Sequence, residues 1–79
     1  MSPTVFRYKG FRFFFFSREE NRLHVHVYCA EGEAKFWLDP AIELAHNYNI
    51  PENKIKELFL IIEKRKNEIK DAWDKHFGS

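Results

Sequence analysis

The chain predicts a two-layer α+β fold, an antiparallel sheet of two β-hairpins (four to five strands) covered on one face by a long C-terminal helix. Three observations carry that reading. Aromatic and β-branched runs come in pairs joined by short links ending in glycine, Lys9-Gly10 and Glu31-Gly32, which are hairpin signals. Alternation within each run separates an apolar face from a mixed one. Beyond Pro51 the apolar spacing lengthens from two residues to that of a helix.

The first hairpin spans residues 5–16. Closing it at Lys9-Gly10 sets Tyr8 opposite Phe11, Arg7 opposite Arg12 and Phe6 opposite Phe13. Phe6, Tyr8, Phe11, Phe13 and Phe15 then share a core face, while Val5, Arg7, Arg12, Phe14 and Phe16 fall on the other. Ser17 to Leu23, rich in charge, is expected to be a solvated loop.

The second hairpin spans 24–38. A turn at Glu31-Gly32 would pair Cys29 with Ala34, Val27 with Phe36 and Val25 with Leu38 on the core side. On the opposite side it would pair Tyr28 with Lys35, His26 with Trp37 and His24 with Asp39. Two independent turns that each yield one apolar and one mixed face support a single sheet.

Pro40 ends the strand because it cannot donate to a ladder. Residues 41–48 fit a short strand through Ile42, Leu44, His46 and Tyr48, or two turns of helix through Ile42, Ala45 and Asn49; the strand is preferred. Asn49 suits a left-handed turn position, and Pro51 suits the first helical residue. Over 51–77, Ile55, Leu58, Phe59, Ile62, Ile69, Ala72, Trp73 and Phe77 form one stripe, as one helix or as two broken near Arg65 and Lys66. Gly78 can stop it.

Length and composition limit what such a fold does. A chain of 79 residues is one domain, 1–79, small enough to leave part of its stability to association. Thirteen basic against twelve acidic residues give a charge of +1, so polyanion binding would need a local patch. One cysteine excludes an internal disulfide and a cysteine-rich zinc site, and Cys29 falls on the core face. With no basic-then-apolar leader and no apolar run near 18 residues, the chain is expected to be cytoplasmic.

The mixed face is where chemistry could sit. It collects Arg7, Arg12, Phe14, Phe16, His24, His26, Tyr28, Glu33, Lys35, Trp37 and Asp39. Arg7, Arg12, Tyr28, Lys35 and Trp37 are the candidate binding residues: cations interleaved with rings can grip single-stranded RNA, or the face can be hidden by a partner protein or a second copy. Arg7 opposite Arg12 places like charges across a strand pair, relieved by a bound anion, by Glu19 or Glu33, or by splaying into water. His24, His26 and Asp39 are the candidate catalytic residues. His24 oriented by Asp39, with His26 and a cation, would be a metal-independent ribonuclease arrangement. The same histidines with Asp39 or His46 could converge on a metal, yet no diagnostic spacing is present, and neither metal nor cofactor is expected. Histidines bonded across a sheet as plain structure are the third reading. Lys64, Arg65 and Lys66 make a basic step in the helix that reads as a solvated face.

The residues Pro3-Thr4-Val5-Phe6, Tyr8 to Phe16, His24-Val25-His26-Val27-Tyr28, Ala34 to Pro40, Glu43-Leu44-Ala45, Ala72-Trp73 and His76-Phe77-Gly78 together resemble the domain of unknown function 4160 family over nearly the whole chain. Leu23 and Asn49 depart from it, where members commonly have Pro and Gly. The resemblance implies a small prokaryotic protein, often one half of a two-gene, toxin-antitoxin-like module whose neighbour is of the domain of unknown function 2442 type. Two functions follow as expectations. One is a non-enzymatic interaction module using the open sheet face or an edge; the alternative is an RNA-binding or ribonuclease-type toxin using His24 and His26. Whether the chain is an enzyme stays open.

Overall fold

The computed structural model describes residues 4–16 and 22–78. Five strands, β1 (Thr4–Tyr8), β2 (Phe11–Phe14), β3 (His24–Tyr28), β4 (Glu33–Trp37) and β5 (Glu43–Tyr48), precede helices α1 (Glu52–Lys64) and α2 (Lys66–Phe77). The strands form one antiparallel sheet in sequence order, so the two hairpins are neighbours and residues 41–48 supply a strand. The loop expected over Ser17–Leu23, with Glu19, lies outside the described residues as far as position 21.

The first hairpin has the expected register, with Tyr8 paired to Phe11, Arg7 to Arg12 and Phe6 to Phe13. Both turn residues take positive φ, Lys9 at 47° and Gly10 at 82°, which gives a type I′ turn matched to the strand twist. An irregularity between Thr4 and Phe6 breaks the alternation, and Val5 packs against the core instead of joining the other face.

The second hairpin differs from expectation by two residues of register. His24 pairs with Trp37, Val25 with Phe36, His26 with Lys35, Val27 with Ala34 and Tyr28 with Glu33. Cys29 and Gly32 exchange backbone hydrogen bonds, so the turn is Ala30-Glu31. Gly32 is not a turn residue of positive φ. A Cβ there would lie 1.8 Å from the Tyr48 carbonyl oxygen, and the glycine serves the close approach of β5. A two-residue slip returns every side chain to its own face, and for that reason the core assignment survives it.

A second irregularity, between Lys35 and Phe36, divides β5: His46 pairs with Lys35, but Leu44 pairs with core-facing Phe36. The single alternating face expected through Leu44, His46 and Tyr48 is therefore split at Ala45. Asn49 takes the left-handed conformation expected of it (φ 76°). Asn47 accepts from the Ile50 amide at 3.0 Å and donates to its carbonyl at 2.9 Å, which fixes the turn into α1. Pro51 caps α1, one position earlier than expected.

The helical region is two helices, broken at Arg65 (φ −112°, ψ 24°), whose guanidinium lies 3.6 Å from the Phe6 ring centre and meets both carboxylate oxygens of Glu68. Ile55, Leu58, Ile62 and Ile69 pack on the core face with Phe6, Phe11, Phe13, Val25, Val27, Phe36 and Leu38. Gly78, left-handed at φ 65°, ends α2.

Candidate functional site

On the sheet face turned away from the core, the ladder pairs arrange the side chains in rows, because residues directly opposite in antiparallel strands share a face. One row crosses all five strands: Arg7, Arg12, Tyr28, Glu33, Tyr48. A second runs Thr4, Phe14, His26, Lys35, His46. A third holds His24, Trp37 and Glu43.

The face expected to be open is covered over much of its second and third rows. His24 is 0 % exposed and His26 6 %, and Phe14 and Lys35 are buried with them. The His26 ring stacks near Phe14 (5.4 Å) and meets the edge of Phe16 (4.6 Å). His24 lies edge-on to His26 (5.2 Å), Trp37 (5.6 Å) and Trp73 (5.1 Å), and Trp73 in turn packs on core residue Phe15. The end of α2 thus links the core to this outer cluster. Arg22 and Lys35 both hold their cationic groups near the Trp37 ring, at 4.4 and 4.3 Å, a favourable placement against the ring quadrupole.

His24 does not meet Asp39. Its ladder partner is Trp37, and Asp39 lies beyond the end of β4, exposed, its backbone carbonyl accepting from Arg22 Nε at 2.7 Å. The His24 ring instead places Nδ1 2.7 Å from the Arg22 carbonyl. A carbonyl only accepts, so Nδ1 carries the proton and donates. His24 and His26 are brought together, but beneath a cover of aromatic rings, and His24 presents no surface to a substrate in this conformation. Among the described residues no three His, Cys, Asp or Glu side chains gather to hold a metal ion.

The candidate binding residues divide. Arg7 and Tyr28 are exposed and Arg12 half-buried, all in the first row, whereas Lys35 is buried and Trp37 half-buried. Arg12 Nε donates to Thr4 Oγ1 at 2.7 Å and the guanidinium lies 4.7 Å from the Phe14 ring centre. Arg7 is exposed while Arg12 is held by Thr4 and against Phe14, so the two paired arginines sit in different surroundings.

Two features escaped the sequence. Tyr48 joins the row of Arg7 and Tyr28, which only the order of all five strands reveals. Leu60, 68 % exposed on α1, lines a groove of about 470 Å³ together with Pro40, Ala41, Ile42, Phe59, Glu63 and Lys66. An apolar residue out of phase with the helical stripe is the sequence signal for it.

No helix among the described residues is long and apolar enough to cross a membrane. A family model described as a domain of unknown function (DUF4160) matches residues 10–74. No curated protein and no solved structure matches the chain. The chain belongs to the DUF4160 family.

Proposed function

We propose that this member of the DUF4160 family is a non-enzymatic interaction module that accepts an extended segment of a partner protein along the outer edge of β5. The observation that supports it most is the coincidence of a terminal strand with an apolar groove. β5 ends the sheet, so the backbone groups on its outer side have no neighbouring strand among the described residues. Glu43–Tyr48 contains no Lys or Pro, two of the devices that usually blunt an edge. Leu44 at that edge is partly exposed, and the groove lined by Ile42, Phe59 and Leu60 opens at the residues leading into β5, so both offer apolar surface to such a segment. Strand addition draws affinity from main-chain hydrogen bonds and specificity from such pockets.

The partner the resemblance implies is the product of the adjacent gene in a two-gene, toxin-antitoxin-like module, of the domain of unknown function 2442 type. The test is hydrogen exchange on the full chain with and without that protein. Binding should slow exchange of amides in Glu43–Tyr48, and Leu60→Asp, which leaves the core untouched, should weaken binding about tenfold or more, as loss of a buried anchor does. A complex that protects some other surface, or one indifferent to Leu60→Asp, counts against the reading.

A further inference from the structure

We propose that the row Arg7, Arg12, Tyr28, Glu33, Tyr48, exposed apart from half-buried Arg12, is a binding site for a short single-stranded nucleic acid, on a face separate from the β5 edge groove. The row crosses the whole sheet, roughly 19 Å at about 4.8 Å per strand spacing, enough for two or three bases. Its chemistry is graded from one side to the other. Arg7 is exposed on β1 with Arg12 directly beside it on β2. Tyr28 follows on β3 at 54 % exposure, and Tyr48 on β5 at 60 %. Glu33 stands between the two rings, paired across the sheet to both.

Each group has a task that the others do not duplicate. Arg7, exposed and with like charge on its cross-strand neighbour, favours a phosphate at that side of the row. Arg12 is anchored by Thr4 and Phe14, so its position is set before a ligand arrives. A base stacks on the Tyr28 ring, and a second reaches Tyr48. The Glu33 carboxylate only accepts hydrogen bonds, so it selects bases that offer an exocyclic amine at their edge, as adenine and cytosine do and uracil does not. An acidic peptide would satisfy the arginines but would meet repulsion at Glu33 and make no use of the Tyr28 ring; charge and aromatic placement together favour the nucleic acid.

The experiment is fluorescence anisotropy of labelled twelve-nucleotide oligoadenylate and oligouridylate RNA with the full chain at low salt. Oligoadenylate should bind more tightly than oligouridylate, and both should weaken as salt rises. Arg7→Glu and Tyr28→Ala should each weaken oligoadenylate binding at least about fivefold, Tyr28→Phe should restore it because the ring is kept, and Glu33→Gln should reduce the preference for adenine. All three positions are exposed, and a circular dichroism spectrum checks each variant's fold. Leu60→Asp should leave RNA binding unchanged, so failure of this site and failure of the edge proposal are separable. Absence of binding, binding indifferent to Tyr28→Ala, or equal displacement by poly-glutamate would overturn the proposal.

Discussion

Gly32 and Gly10 show how the same residue type answers to different physics. At Gly10 the backbone is left-handed and nothing lies within 4 Å of a would-be Cβ, so an added methyl meets only backbone strain. At Gly32 the methyl would run into the Tyr48 backbone carbonyl. Gly10→Ala should cost about 1 kcal/mol and Gly32→Ala about 3 kcal/mol or more, since strand β5 must move or detach. Urea unfolding midpoints measure both, and equal losses would contradict the assignment. The first glycine's role was legible because a local turn requires it; the second was misread as a turn residue because the atom excluding its side chain belongs to another strand.

Among the elements, the turn between β3 and β4 is tied to α1 by an ion pair that sequence alone does not reveal. Glu31 accepts from Lys54, and Asn49 donates to the Glu31 carbonyl at 3.1 Å. The hydrogen bond from Lys54 holds the Glu31 carboxyl below its ordinary pKa, with a smaller contribution from Cys29, and the same bond raises Lys54 above its own. A lowered carboxyl contributes stability above its unfolded pKa and loses it as pH falls through the folded value; a raised amine contributes below its unfolded pKa and loses it as pH rises through the folded one. Thermal midpoints should therefore be highest between the two ranges and decline below the normal Glu range, and Glu31→Gln should flatten that acid decline. An unchanged acid limb in the variant would remove this pair from the account. Strands, helices and their faces were legible because period and turn chemistry are local signals. The break at Arg65 was left open because only the Phe6 ring and Glu68, which hold the guanidinium, settle it. The split of β5 at Ala45 depends on the register with β4, which residues 41–48 do not encode by themselves.

Taken whole, the sheet has packed rings on both sides. The inner layer was readable from alternation; the outer cluster of Phe14, His24, His26, Trp37 and Trp73 was not, because a histidine and a tryptophan on a mixed face look the same in sequence whether covered or bare. The candidate binding residues share the outer face, yet their separation into the row of Arg7, Arg12 and Tyr28 and the more covered Lys35 and Trp37 needed the strand order. The outer cluster also bears on stability. At roughly 0.05 to 0.15 kcal/mol per residue, a chain of this length has about 4 to 12 kcal/mol in total. His24→Ala removes a fully buried ring that bridges β3, β4 and α2, and should cost about 2 to 4 kcal/mol, a large share of that total. Circular dichroism melts would show it, and a variant as stable as the parent would mean the cluster is dispensable.

The order of the elements has one more consequence. During synthesis every strand leaves the ribosome before either helix, and each new strand finds its ladder partner in the one just made. The meander can zip up early, yet Phe6, Phe11, Phe13, Val25, Val27 and Phe36 stay without their lid until Ile55, Leu58, Ile62 and Ile69 arrive. The nascent chain passes through an interval as a one-sided greasy ribbon, the stage at which it has most need of a chaperone and most capacity to stick to its own kind.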